Sequence, residues 1–142
     1  MLALRLVLDT NVVVSATLKP EGLQRTVFVL AITPPARLYV SEPILREYRE
    51  VLSRPRMKIR KGARNQILQL VTNRGHLVRP ARMPVVTEDA EDNMFIECAD
   101  AARADYLVTG NPRHFPRFWK QTKVITSREF LTLAAPHLIQ NS

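Results

Sequence analysis

Four positions far apart in the chain carry side chains whose types could do chemistry together: Asp9, Glu47, Asp92 and Asn111. Asp9 ends the run Leu6-Val7-Leu8, which reads as a short buried strand with a β-branched member. Ligands of an open parallel sheet bind at the carboxyl ends of its strands, so this carboxylate stands where reactions are usually carried out. The same position also suits an N-cap for a following helix. Asp92 closes a knot of acids formed by Glu88, Asp89, Glu91 and Asp92. Like charges about 4 Å apart repel by about 4 kcal/mol at an effective dielectric near 20. Such crowding points to a bound cation or to splayed side chains. Asn111 follows Tyr106-Leu107-Val108-Thr109-Gly110, a second strand ending in small and polar residues.

Helices must carry the remaining groups to that rim. Ser41 reads as an N-cap and Pro43 fits the first turn of a helix from Glu42 to Leu52. Ile44, Leu45, Tyr48, Val51 and Leu52 form its apolar stripe. Glu47 stands at the stripe's edge, where it either reaches the sheet rim or solvates the flank. A later helix is expected to start near 89–92 and run to about Arg103, with Phe95, Ile96, Ala99 and Ala102 buried. Asp92 then falls in its first turn, on the face of Phe95 and Ile96. Further helices are expected over 11–18, 23–32 and 63–74, with Gly75 at a C′ position, and after Thr126, whose spacing to Glu129 is that of a capping box. Strands are expected at 38–40, weakly at 77–78, and at 124–125; 112–119 reads as a loop or short helix. Strands alternating with helices argue an α/β fold with a mostly parallel sheet. With no repeat, low-complexity tract or long linker, residues 1–142 are expected to form one domain.

The chain is globular in composition, with 46% apolar residues. Its longest apolar run, 27–32, is far too short to span a bilayer. The opening residues lack the pattern of a secretory leader, and the lone Cys98 suits a reducing compartment, so the expected location is the cytoplasm. The thiol reads as a small core residue. Lys and Arg number 21 against 13 Asp and Glu, a net charge of +8 that favours polyanions or simple solubility. Its distribution is sharper: Arg54, Arg56, Lys58, Arg60, Lys61 and Arg64 crowd one segment, away from the acids. That segregation suggests a metal pocket flanked by a phosphate-attracting surface. Arg113, His114, Phe115, Arg117, Phe118 and Trp119 interleave base and aromatic, which serves either phosphate holding with base stacking or an aromatic core with charged edges.

Four stretches carry a resemblance: Val7-Leu8-Asp9-Thr10-Asn11; Ile44-Leu45-Arg46-Glu47-Tyr48 running into Val51-Leu52-Ser53-Arg54-Pro55; Asp89-Ala90-Glu91-Asp92-Asn93 through Ala99; and Ala104-Asp105-Tyr106-Leu107-Val108-Thr109-Gly110-Asn111. Each is short, but the ordered set is specific and spans nearly the whole chain. In it the chain resembles a PIN-domain nuclease of the branch of prokaryotic single-domain toxins of toxin–antitoxin pairs, the VapC-like branch. The resemblance implies a three-layer α/β/α sandwich and an acidic pocket that binds Mg²⁺ or Mn²⁺ and cleaves RNA. It places Asp9, Glu47 and Asp92 at the metal-ligand positions, and Asn111 at a fourth position that is often Asp in this branch. That departure removes one charge; Asn111 acts there through its carbonyl or a water, or leaves a second metal site weak. Asn11 and Thr109 are expected as positioning groups and Asp89 as a supporting acid or cap. Arg54, Arg56, Lys58, Arg60, Lys61 and Arg113 are expected to hold the RNA backbone. The implied partners are an antitoxin and a second copy of the chain, the latter with support from apolar positions at 27–32 that look exposed. Two other classes stand beside this reading. A PIN domain of weak activity would serve as an RNA-binding or protein-interaction module. A receiver-type signalling domain also gathers acids at strand ends, but no convincing phospho-accepting Asp ends the third strand.

Overall fold

The computed structural model describes residues 3–81, 87, 89 and 91–138. Glu88 of the acidic knot lies outside the described residues. Among the described residues six strands form one sheet: β1 (Arg5–Leu8), β2 (Arg37–Val40), β3 (His76–Leu77), β4 (Tyr106–Val108), β5 (Phe118–Trp119) and β6 (Thr122–Ile125). Their order is β3-β2-β1-β4-β6-β5, and every pairing is parallel except that of β5 with β6. Six α-helices, α1 (Thr10–Leu18), α2 (Leu23–Ala31), α3 (Glu42–Leu52), α4 (Lys61–Arg74), α5 (Asn93–Ala102) and α6 (Ser127–Ala134), complete an α/β/α arrangement. Leu6, Val7 and Leu8 are fully buried. That explains why β1 is a continuous apolar run and does not alternate: both faces of a central parallel strand are covered.

The Asp9 rim is tied to α3 by a buried contact. Tyr48 is fully buried in the α3 stripe with Ile44, and its hydroxyl donates to the carbonyl oxygen of Leu8, the last residue of β1. The helix is thereby fixed against the strand one residue before Asp9. Its start is fixed by Ser41, whose Oγ accepts from the Ile44 N–H at 3.4 Å. At the other end of the chain, Thr126 and Glu129 form the reciprocal capping box that their spacing predicts.

Several expectations are corrected. Helix α4 begins at Lys61, not 63, so Lys61 and Arg64 lie on a helix while Pro55–Met57 makes a 3-10 turn. Gly75 is extended (φ −73°), not left-handed; a Cβ there would stand 2.5 Å from the Val71 carbonyl oxygen, so close approach is what requires glycine. Within 112–119 the chain makes a 3-10 turn, Pro112–His114, and then the short strand β5. Its aromatics divide: Phe115 is buried, Phe118 is exposed, and the Trp119 Nε1–H donates to Asp100 at 3.0 Å. In 27–32, Val27, Phe28, Ala31 and Ile32 are buried, because α2 packs on α1 and α6; only Val29 is exposed. The apolar support for a dimer surface at 27–32 is thereby withdrawn.

Candidate functional site

The carboxyl ends of β1 and β4 lie side by side, with Leu8 in register with Val108. Asp9 and Thr109, the residues immediately after these strands, are therefore neighbours. The Thr109 hydroxyl donates to Asp9 Oδ2 at 2.6 Å, and the Thr10 N–H donates to Asp9 Oδ1 at 2.7 Å. Asp9 is thus an N-cap of α1 as well as a rim carboxylate. A second layer locks the same corner. The Asn111 N–H donates to Thr109 Oγ1 at 3.0 Å, and Asn11 Oδ1 accepts from the Gly110 N–H at 3.1 Å. A Cβ on Gly110 would press on Asn11 at 3.3 Å, so the loop's close approach to α1 suits glycine.

Glu47 comes to this corner from α3, half-buried, and its Oε2 accepts from the Thr10 hydroxyl at 3.5 Å. Asp92 arrives from the other side. It is not inside the first turn of α5 but immediately before it, with an αR backbone and no side-chain capping bond. Its carboxylate is therefore free of helix-capping duty and stands 3.6 Å from His114 Nδ1. Asp9, Thr10, Asn11, Glu47, Asp89, Asp92, Asn111 and His114 line one cleft of about 340 Å³, with Val51 and Met57 on its α3 side. Asp89 caps the turn locally, its Oδ1 accepting from the Glu91 N–H at 2.9 Å.

Burial dominates the electrostatics at all three acids, with partial opposition from His114 at Asp9 and Asp92 and from Arg54 at Glu47. Burial pushes the Asp9 carboxyl up, against the opposing hydrogen bonds from Thr109 and Thr10. Burial also raises Glu47, with added repulsion from Glu91 and Glu50. Asp92 is pushed up to about 6, first by desolvation and then by Asp9 and Asp89. Among the described residues no three acidic, imidazole or thiol groups are gathered tightly enough to enclose an ion by themselves. An open set of carboxylate oxygen donors still fits a hard divalent cation, and Mg²⁺ characteristically keeps several waters and takes one or two carboxylates.

Of the expected nucleic-acid contacts, Arg54 makes a two-pronged pair with Glu50, at 3.0 and 2.7 Å, which holds its guanidinium along α3. Arg56, Lys58, Arg60 and Lys61 are exposed, on the turn and helix start that flank Met57. Lys58 closes the turn in the left-handed region (φ 52°). Arg113 is exposed on the 3-10 turn directly after Asn111. Two further residues contact the acids without being marked for that role in the sequence, Thr10 at Glu47 and His114 at Asp92. Thr10 was visible as the polar residue between Asp9 and Asn11; His114 gave no signal, because its neighbour Asp92 is distant in sequence.

The PIN domain family profile matches residues 5–113, and the chain belongs to that family. PIN domains are generally nucleases. An uncharacterized protein of Methanocaldococcus jannaschii is 29% identical over 111 residues, covering 76% of this chain and 71% of its own. Among solved structures, VapBC2 from Rickettsia felis bound to a DNA fragment from their promoter shares the fold, with a TM-score of 0.58 at 17% identity over 86% of this chain and 98% of that one.

Proposed function

We propose that this protein is a metal-dependent endoribonuclease, the toxin of a toxin–antitoxin pair, acting in the cytoplasm as one domain over 1–142. The observation that carries the reading is the meeting of Asp9, Glu47 and Asp92, from three separate elements, in one cleft at the carboxyl end of a parallel sheet. In this reading Asp9 and Asp92 hold Mg²⁺ or Mn²⁺, with Glu47 completing the set directly or through water. The ion supplies Lewis-acid activation of water and neutralises charge on a phosphoryl oxygen. Thr109 and the Thr10 N–H orient Asp9, and the Thr10 hydroxyl steers Glu47. Asn111 and Asn11 hold the loop that presents this corner, and Asp89 supports the turn before Asp92. Arg56, Lys58, Arg60, Lys61 and Arg113, with Arg54 in part, hold RNA phosphates beside the cleft.

The antitoxin partner is supported by the fold shared with VapBC2, and a homodimer by the family resemblance alone. The test is cleavage of RNA by the purified protein: none in chelator, restored by Mg²⁺ or Mn²⁺. Equal cleavage in chelator would sink the reading. A second reading, a PIN domain that binds RNA or a partner without cutting, is favoured by the uncharged Asn111 at the rim. Saturable RNA binding with no cleavage under any divalent ion would select it.

A further inference from the structure

The opposite end of the sheet carries a basic pocket. Its cavity of about 620 Å³ is lined by Arg5, Arg37, Arg74 and His76, with Pro34 and Pro35 on one wall. Arg5, Arg37 and His76 are the first residues of β1, β2 and β3, so this pocket faces away from the acidic cleft. The register is informative. Arg5 pairs directly with Arg37, and Tyr39 with His76. In a parallel ladder, partners and residues two apart share a face, so two arginines stand opposite each other beside a histidine on one side of the sheet. The Arg5 guanidinium lies 5.9 Å from the Tyr39 ring centre, and the Tyr39 and His76 rings meet at a 35° tilt with centres 5.3 Å apart.

Local duties account for only part of the cluster. Arg5 Nη1 donates to the Ala102 carbonyl oxygen at the end of α5 (3.1 Å), and Arg74 complements the carboxyl end of α4. Nothing of the kind engages Arg37 or His76 among the described residues. The carboxylate of Asp105 accepts the Arg5 backbone N–H at 2.8 Å but does not line the pocket. The cavity's size lies within the range of roughly 300–1,000 Å³ typical of small-molecule sites.

We propose that this pocket binds the phosphate group of a nucleotide-sized ligand, with Arg37 and Arg74 as its main contacts. Arginine matches phosphate with paired N–H donors, and the Tyr39–His76 ring pair borders the same face. The site is independent of the nuclease reading and needs no metal.

The test uses the full chain in chelator, so that no ion can hold phosphate in the acidic cleft, at constant ionic strength set with chloride. Inorganic phosphate and adenosine 5′-monophosphate are titrated by calorimetry. Saturable binding is expected, weakened about tenfold or more by the double substitution Arg37→Gln, Arg74→Gln, as loss of charge-assisted hydrogen bonds requires. The control Arg46→Gln, Arg128→Gln, at exposed positions outside both sites, should change it less than about twofold. As a second measurement, phosphate should raise the melting temperature of the parent more than that of the Arg37→Gln variant. No saturable binding, binding lost in the control pair instead, or equal thermal shifts in parent and variant would each overturn the proposal.

Discussion

The two walls of the acidic cleft are built differently. On the β1–β4 wall, Asp9 is buried, both its oxygens accept hydrogen bonds, and the threonine that serves it is itself held by Asn111. On the α5 wall, Asp92 has no capping bond, and among the described residues its carboxylate has a 3.6 Å approach from His114, itself largely exposed. One wall has its carboxylate set in place by the fold; the other leaves its carboxylate to be organised by whatever enters. Burial of a charged carboxylate is costly, so a cation would offset the desolvation of Asp9, and its hydrogen bonds keep the side chain in place meanwhile.

Substitutions should separate the walls, and the largest effect is expected at Asp9. Asp9→Asn keeps the shape while removing a charged oxygen donor. Cleavage should drop by at least the ~100-fold that loss of an outer-shell partner can cause at a metal site, and the thermal shift on adding Mn²⁺ should shrink. RNA affinity should hold or rise, because a repulsive charge is gone. Without metal, the variant should melt slightly higher than the parent. Parent-like cleavage by Asp9→Asn would remove the nuclease assignment.

Thr109→Val comes next. It is close to isosteric but leaves Asp9 Oδ2 without its donor and the Asn111 N–H without its acceptor. A loss of about 10- to 100-fold in metal affinity or activity is expected, with a stability cost of about 1–3 kcal/mol for buried groups left unpaired. If stability falls while metal affinity is untouched, Thr109 holds the loop and does not set the carboxylate, and the contrast between the walls weakens.

The α5 wall should reveal itself through pH. In the metal-free protein Asp92 is raised from the ordinary 3.8 to about 6. Between those values the folded chain binds more protons than the unfolded one. This group's contribution is therefore favourable below about pH 4 and is lost as pH rises toward 6. Melting temperatures in chelator should carry a declining component over that window that Asp92→Asn removes. Saturating Mn²⁺ should also suppress it. An identical pH profile in parent and Asp92→Asn would show that Asp92 is not under this electrostatic load.

The legible part of the site was the part that follows strand ends and helix stripes. Asp9 and Asn111 stood out because each closes a short apolar run, and Glu47 because it borders a five-residue stripe with 3.6-residue periodicity. Asp92 was found by its acidic neighbours but misplaced by one position, since only the cap geometry distinguishes a first turn from the residue before it. The bonds from Thr109 to Asp9, Thr10 to Glu47 and Gly110 to Asn11 depend on strand register and helix docking, which leave no local trace. The same holds for the basic far end, where Arg5, Arg37 and His76 meet only because β3, β2 and β1 are neighbours. The two-residue strand β5 is too short to show a period at all.

Asn111→Asp should have the smallest effect and is the finest probe of the difference between the walls. Asn111 belongs by hydrogen bonding to the ordered wall, through its N–H to Thr109, yet it is exposed and lines the cleft beside Asp92. The substitution keeps the backbone bond and adds one carboxylate at the rim. Solvent screens an exposed charge, so its coupling to a bound ion should be of the order of 1 kcal/mol or less, a gain in Mn²⁺ affinity of up to about fivefold. That gain should fade as salt rises through 0.15 M, where the screening length is about 8 Å. Metal-free Asn111→Asp should melt slightly lower than the parent, since it joins an already crowded set of acids. A gain of 100-fold or more, insensitive to salt, would mean that the rim at Asn111 is enclosed when the ion binds, and that the open wall closes onto the ordered one.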